Sequence, residues 1–172
     1  GLISQYTKLD SERMPGRVNV KKVIREILGA NQLRLDEQQV LMTIACPDDS
    51  WIESNHRQFF MAVNNLFINS LDALANRRGG HIIIKGTPNA DYFHLSFSDN
   101  GCGIPPEIID RIFDTFYSTK PDRGTGIGLS MTRKIIEMYG GSISVTSVPD
   151  VETSFFIKAK MIGAPDDNGI EK

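Results

Sequence analysis

Two clusters of glycine lie about twenty residues apart in this chain, and both are suited to holding a phosphorylated ligand. The first, DNGCGI, covers residues 99–104, and the second, GTGIGLS, covers residues 124–130. Glycine tolerates positive φ angles and leaves its N–H group open to close approach. Both clusters fall where the surrounding pattern predicts a change from one element to the next. These positions and residue types indicate a nucleotide-binding site.

The second cluster is expected to open a helix, where free N–H groups and the positive end of the helix dipole favour an anion. Two other glycine-rich phosphate motifs do not fit. A dinucleotide-binding fingerprint needs a preceding strand, and KPDR over residues 120–123 is not a strand. A P-loop needs a Gly-Lys pair followed by Ser or Thr, which the cluster lacks.

Asn65, Asn69 and Asp72 form a polar stripe on a predicted long helix, at spacings of four and three residues. At ~100° per residue they fall within roughly 60° of one another. A solvated helix face is the ordinary explanation for an isolated stripe of this kind. The stripe borders bulky apolar residues, however, and an asparagine side-chain oxygen is a suitable Mg²⁺ ligand beside phosphates. Both interpretations stay open from the spacing alone.

Asp99 directly follows a strand with one apolar face, so its carboxylate is expected to point into the fold or into a cleft. There it could accept a hydrogen bond from the exocyclic amine of adenine. An ordinary turn is the alternative explanation of an Asp-Asn-Gly sequence.

The segment between the clusters, residues 103–125, is long and has little periodicity, which is typical of a functional loop. Phe113 and Phe116 are expected to pin this loop to the core. Lys120 could reach a γ-phosphate as a mobile point charge.

The remaining pattern predicts the elements that position these groups. Apolar residues at helical spacing predict helices from Asn19 to residue 28, over residues 56–77, and from the second cluster to Tyr139. A short helix is expected at 105–112, because proline suits a first helical turn. Alternating residues predict strands at 40–46, 82–85, 92–98, 142–148 and 154–161. Because hairpins outnumber βαβ units, we expect an α+β fold: a two-layer sandwich with a mixed, largely antiparallel sheet and helices packed on one face.

Composition narrows the class of protein. With 172 residues, 40% of them hydrophobic, the chain is long enough for one domain with a substantial core. The net charge of -2 gives no general attraction to nucleic acid or to an anionic membrane. Cys46 and Cys102 fit neither a disulfide framework nor a zinc site, which favours a reducing, cytosolic setting. No apolar run approaches the roughly 20 residues of a membrane span.

The chain is expected to divide into three parts. Residues 1–18 are predicted to be the end of a helix and a linker, and residues 19–161 the folded domain. The polar residues 162–172 are predicted to be a disordered tail.

Four segments resemble, in order, the four boxes of the catalytic ATP-binding domain of sensor histidine kinases, in the GHKL superfamily with its Bergerat fold. The matching segments, in the order N box, G1 box, F box and G2 box, are residues 65–73, 99–104, 113–120 and 124–130. Each box alone is a weak signal, but four in register over residues 19–160 are specific. The superfamily also contains the gyrase, heat-shock-chaperone and mismatch-repair ATPases.

The resemblance implies a role for each matching position. Asn69 would hold Mg²⁺ with the ATP phosphates, Asn65 would lie beside the phosphates, and Asp99 would bind the adenine amine. Lys120 would share the catalytic role with Asn65 and would hold phosphate oxygens together with the backbone of the second cluster. The whole implied ATP-binding set is Asn65, Asn69, Asp72, Ala73, Asp99, Gly101, Gly103, Ile104, Lys120, Gly124, Thr125, Gly126, Ile127, Gly128, Leu129 and Thr153.

One implied position departs from the family pattern. Thr153 would fall at a third glycine box and support the adenine site through Asp99. The family usually has a glycine just before this threonine, and this chain has Glu152. The departure concerns the adenine edge of the site.

A single position separates the kinases of the superfamily from its hydrolysing ATPases. The ATPases carry a glutamate four residues before the magnesium asparagine, as the base for water, and this chain has Asn65 there. An amide cannot take up a proton near neutral pH. The nearest other carboxylate, Asp72, would face the purine side in the resemblance. Phosphoryl transfer to a protein acceptor is therefore implied.

The acceptor histidine would lie outside this chain, in an upstream dimerisation and phosphoacceptor domain, because the three histidines present do not match its motif. Residues 2–9 resemble the end of the second helix of that domain. The implied partners are this domain and a response regulator. The parent would be a homodimer and this piece a monomer, cytoplasmic whether or not the parent is membrane-anchored. The alternatives are a GHKL ATPase, a protein kinase with a non-histidine acceptor, and a binding module that senses ATP.

Overall fold

A computed structural model of the protein describes residues 14–117 and 126–163. It contains five helices and seven strands in these residues. The helices are α1 (Val20–Ala30), α2 (Gln32–Gln38), α3 (His56–Ala73), α4 (Pro106–Ile109) and α5 (Gly128–Met138). The strands are β1 (Gly16–Asn19), β2 (Leu41–Ala45), β3 (Trp51–Ser54), β4 (His81–Asn89), β5 (Tyr92–Asp99), β6 (Ser142–Val148) and β7 (Glu152–Lys160).

The main sheet has the strand order β2-β4-β5-β7-β6. β2 runs parallel to β4, and the other neighbouring pairs are antiparallel. Along β5, Phe93, Leu95 and Phe97 are buried while the residues between them are less buried, so the sheet has one core face. This confirms the predicted mixed, largely antiparallel sheet.

The core face of the sheet is covered by helices, and α3 lies between α1 and α5. Asn55 caps the start of α3, since its side chain accepts a hydrogen bond from the Gln58 N–H at 3.1 Å. The buried face of α3 includes Phe59, Ala62, Val63, Leu66, Phe67 and Leu71. The burial of this face against the sheet confirms the two-layer α+β sandwich. Asn65 and Asn69, on the polar stripe of the same helix, are half-buried.

Three predicted boundaries are wrong by three residues or more. The long helix ends at Ala73 rather than near residue 77. At this end the Ala73 carbonyl accepts a hydrogen bond from the Cys102 N–H at 3.2 Å. Strand β4 continues to Asn89 rather than ending at residue 85, since Pro88 pairs within the hairpin opposite Phe93. The short helix after the first glycine cluster covers only Pro106–Ile109 and continues as a turn.

Two features escaped the sequence pattern. β1 and β3 form a separate two-stranded antiparallel sheet, so a strand lies partly within the segment predicted to be a linker. These strands have four residues each, too few for alternation to be recognised. Helix α2 has a single buried residue, Leu35, and so lacks apolar periodicity.

Across residues 14–117 and 126–163, no helix combines the length and apolar character needed to cross a bilayer.

Candidate nucleotide-binding site

Asn65 joins the long helix to the start of α5. Its side-chain amide donates to the Gly128 carbonyl at 3.2 Å. A Cβ on Gly128 would lie 3.7 Å from the Asn65 side chain, an ordinary van der Waals distance. Ile127, the residue before α5, is buried and does not cap the helix with its side chain. The first N–H groups of α5 therefore lie near Asn65. They are at the N-terminus of the helix, the end that favours anions.

Thr132 fixes this arrangement, and the sequence analysis did not single it out. Its buried hydroxyl lies 2.9 Å from the Gly128 carbonyl and 3.2 Å from the Ala62 carbonyl of α3. The hydroxyl therefore ties α5 to α3 one turn from Asn65. Thr132 reaches the Gly128 carbonyl because it lies four residues further along the same helix. Its role therefore could not be recognised without the start of that helix.

The other two members of the polar stripe have different surroundings. Asn69 lies one turn beyond Asn65 and is half-buried. Asp72 accepts a hydrogen bond from the Arg34 guanidinium of α2 at 2.8 Å, and both side chains are about a third exposed. Arg34 is a neighbour that sequence reasoning missed, because it lies 38 positions away along the chain.

Asp99 is the most deeply buried carboxylate of the described residues, with 4% of its surface exposed at the end of β5. Its Oδ2 accepts from the Ser70 hydroxyl at 2.8 Å, and its Oδ1 accepts from the Gly101 N–H at 3.0 Å. Burial raises the pKa of Asp99 above its ordinary value, while these two hydrogen bonds and the Arg77 charge oppose the rise. A buried carboxylate held from two sides has a fixed orientation, which base recognition requires.

The first glycine cluster is fastened to the rest of the site. Gly103 has a φ of +71°, and a Cβ there would lie 2.5 Å from the Val148 carbonyl oxygen. The Ile104 N–H donates to the Ser147 hydroxyl at 2.8 Å. Strand β6 and its turn therefore support the loop that follows Asp99.

Gly101 has no room for a side chain. A Cβ at this position would lie 2.6 Å from the Ala73 Cβ, 2.7 Å from the Asp99 Oδ1 and 2.9 Å from the Ala73 carbonyl. Gly101 thus lies directly against two other predicted members of the site, Ala73 and Asp99. The glycine is required by close approach here, because none of these neighbours can move aside without shifting α3 or Asp99.

We expect Gly101→Ala to lower the free energy of unfolding by about 1–3 kcal/mol, as overpacking does, and to weaken nucleotide binding by displacing Asp99. Chemical denaturation measures the first effect and calorimetry the second. Gly29→Ala is the matched control: it lies inside α1 with nothing within 4 Å of its Cβ position. It should leave stability unchanged or raise it by up to about 1 kcal/mol. A Gly101→Ala variant with wild-type stability and affinity would contradict this geometry.

Thr153 lies directly opposite Asp99 in the β5–β7 pairing. It is buried, and its hydroxyl lies 2.9 Å from the Ser147 hydroxyl. Glu152, where the family has glycine, is exposed. The turn takes its positive φ of 59° at Asp150 instead, so position 152 needs no glycine here.

Phe113 and Phe116 have different surroundings. Phe113 is buried edge-on against Phe155, with ring centroids 6.3 Å apart, so it pins the loop to the core as expected. Phe116 is 70% exposed, which contradicts the expectation that it does the same. It has a φ of 67°, and its N–H donates to the Gly126 carbonyl at 2.8 Å. Lys120, Gly124 and Thr125 lie outside the described residues.

Residues 54–162 match the family described as Histidine kinase-, DNA gyrase B-, and HSP90-like ATPase. The chain belongs to this family. It is therefore an ATP-binding domain. The structure places Asn65 beside Gly128. It also places Gly101 against Ala73 and Asp99, and Thr153 opposite Asp99.

The curated relatives include a sensor histidine kinase, and a solved structure has the same fold. The chain is 36% identical over 110 residues to the sensor histidine kinase DcuS of Escherichia coli (strain K12), covering 64% of this chain and 20% of that protein. It is 31% identical over 141 residues to sporulation kinase A of Bacillus subtilis (strain 168), covering 81% and 23%. The catalytic domain of the histidine kinase ThkA aligns with a TM-score of 0.77 at 24% identity, covering 86% of this chain and 98% of that one.

The predicted fold and the resemblance to the catalytic ATP-binding domain of sensor histidine kinases are thereby confirmed. The chain spans about a fifth to a quarter of the length of these two curated relatives, 20% and 23%.

Proposed function

We propose that this chain binds Mg-ATP between α3, the first glycine cluster and the start of α5, and presents the γ-phosphate to a histidine outside the chain. In this proposal Asp99 binds the adenine amine and Thr153 supports it. Asn65 and the first N–H groups of α5 face the phosphates. Lys120 supplies a further charge to the γ-phosphate. Positioning and charge neutralisation carry most of the catalysis in phosphoryl transfer.

The observation that carries the proposal is the position of Asn65. Its amide donates to the Gly128 carbonyl, so it lies at the helix start where phosphates are favoured. A water-activating carboxylate would have to stand here, four residues before Asn69. An amide has no proton affinity near neutral pH and cannot act as that base. The site therefore favours transfer to an acceptor over hydrolysis.

The donor set fits Mg²⁺ held mainly by phosphates. Among the described residues, no group of three or more His, Cys, Asp or Glu is placed to hold a metal ion. Asn69 offers one neutral oxygen from a half-buried position on α3. Mg²⁺ keeps several waters and is commonly held by one or two protein oxygens together with substrate phosphates. When bound, the ion would neutralise phosphate charge.

The acceptor and the partners are inferred from the relatives. In this proposal an upstream dimerisation and phosphoacceptor domain of a homodimeric parent supplies the histidine, and a response regulator takes up the phosphoryl group. In a solved complex of the histidine kinase ThkA with the response regulator TrrA, 46% of the ThkA chain aligns with 94% of this chain, at 21% identity and with a TM-score of 0.75. Two histidines of this chain have hydrogen-bond partners of their own: His56 lies 2.8 Å from the Glu26 carboxylate, and His81 lies 2.9 Å from the Thr43 hydroxyl.

Steady-state phosphate release by the chain alone tests transfer against hydrolysis. We expect no release from Mg-ATP above that of an Asp99→Asn variant, because no base stands at position 65. The binding itself is checked in parallel by calorimetry. Continuous phosphate release from a chain that binds ATP would overturn the proposal in favour of an ATPase.

Acidification is expected to affect stability and nucleotide binding in opposite directions. Because burial raises the pKa of Asp99 above its ordinary value of 3.8, ionising it costs the folded chain more than the unfolded chain. The protonated form of Asp99 therefore favours the folded chain. Its contribution to stability is present below pH 3.8 and is lost as the pH rises through the folded-state pKa of Asp99. Binding, in contrast, should weaken as the pH falls through the same folded-state pKa, since the amine needs the ionised carboxylate.

Denaturant unfolding and ADP calorimetry, both performed between about pH 4 and pH 7, measure the two effects. Asp99→Asn removes the titration, so the difference in unfolding free energy between wild type and variant should change across this range. A constant difference would contradict the raised pKa of Asp99.

A further inference from the structure

Arg77 connects three segments around the adenine side of the site. It lies in the turn after α3, and its Nη1 donates to the Gly101 carbonyl at 2.9 Å. Its Nη2 donates to the Asp150 carbonyl at 2.8 Å. One guanidinium therefore joins the end of α3, the first glycine cluster and the β6–β7 turn. No role in the proposed function has been given to this side chain.

The turn that Arg77 holds has an uncommon backbone conformation. Asp150 has a φ of 59°, in the left-handed region that residues other than glycine adopt uncommonly. The Asp150 N–H also donates to the Cys102 carbonyl at 2.8 Å. The cluster and the turn thus support each other through backbone contacts, and Arg77 spans both with the fixed fork of its guanidinium.

The charge of Arg77 also acts on Asp99. Three groups favour the ionised form of this carboxylate: the Ser70 hydroxyl, the Gly101 N–H and the Arg77 guanidinium. Across the sheet Asp99 faces the neutral Thr153. Arg77 is therefore the cation that opposes the desolvation of Asp99, and it does so from two residues beyond it, at the Gly101 carbonyl.

We propose that Arg77 is a positioning residue for recognition of the adenine base. By holding the Gly101 carbonyl and the Asp150 turn together, it keeps Asp99 aimed at the base. This inference rests on the proposed role of Asp99. If the Arg77 contacts served stability alone, removing them would leave the affinity of the folded protein for adenine nucleotides unchanged.

Calorimetric titration with ADP tests the inference on four forms of the chain: wild type, Arg77→Ala, Arg77→Lys and the control Arg78→Ala. We expect Arg77→Ala to weaken ADP binding about 10-fold, the effect of about 1.4 kcal/mol. Arg77→Lys keeps the charge but not the fork, so its affinity should also fall, by less. Arg78 is exposed, and its removal should leave affinity unchanged.

The pH dependence of ADP binding separates the two parts of the role. The midpoint for loss of binding should move to higher pH in Arg77→Ala, because the charge that favours ionised Asp99 is gone. It should stay at the wild-type value in Arg77→Lys. Circular dichroism reports whether each variant is folded.

Wild-type ADP affinity in folded Arg77→Lys and Arg77→Ala would overturn the inference, even if both variants melt at lower temperature. So would an unmoved pH midpoint in Arg77→Ala. If Arg77→Ala does not fold, the Arg77→Lys affinity decides. Asp99→Asn with wild-type affinity would instead overturn the proposed site, whatever the Arg77 variants show.

Discussion

Asp99→Asn is expected to abolish nucleotide binding, with a loss of affinity of at least about 100-fold. A hydrogen bond to a charged acceptor contributes about 1.5–3 kcal/mol. The amide could also present its NH₂ group to the adenine amine, placing donor against donor. Because Asp99 is buried and is held by Ser70 and Gly101, it cannot be replaced by a neighbouring group.

The same change should not harm the fold. Burial raises the pKa of Asp99, so replacing the carboxylate with a neutral amide removes a desolvation cost at neutral pH. We expect a melting temperature at or above that of the wild type. Asp49→Asn, a matched change at an exposed position, should bind ATP normally. ATP calorimetry and thermal denaturation measure the two effects, and unchanged ATP affinity in folded Asp99→Asn would remove adenine recognition from Asp99.

Asn69→Asp is expected to have the second-largest effect, a loss of Mg-ATP affinity of at least about 30-fold. The substitution keeps the size of the side chain but adds a negative charge beside the phosphates. It also removes the NH₂ group as a possible donor. About 2 kcal/mol of repulsion at a partly buried position is enough for that loss.

Asn76→Asp is the matched control for this change. It adds the same charge at an exposed position shortly after the end of α3. Calorimetry of both variants with Mg-ATP separates a local effect from the general effect of added charge. Equal affinities in the two variants would mean that Asn69 does not face the phosphates or the metal ion.

Much of the fold could be predicted because its signals are local and repeated. The alternation along β5 and the apolar stripe of α3 extend over many residues, so both elements could be predicted, although the end of α3 was placed about four residues too late. β1, β3 and α2 could not be found, because each is short and buries few residues. Their stability comes from partners far along the chain, as in the pairing of Gly16 with Ser54.

The site shows the same division. Asp99, Gly101 and Asn65 could be proposed as site residues because each lies in a motif with characteristic spacing. The groups that hold them could not: Ser70, Thr132 and Arg77 are ordinary residue types at ordinary positions. Their roles depend on the point where α3 meets the glycine cluster and α5, which only the three-dimensional structure defines.

Transfer of the γ-phosphate of ATP to a histidine outside the chain is the step on which the proposed function depends. The most direct measurement adds ATP labelled at the γ-phosphate to the chain together with the separately expressed upstream domain. The account predicts a label on a histidine of that domain, labile to acid and stable to base, and none when Asp99→Asn replaces the wild-type chain. An acid-stable label on serine or threonine, or release of labelled phosphate without labelled protein, would contradict it.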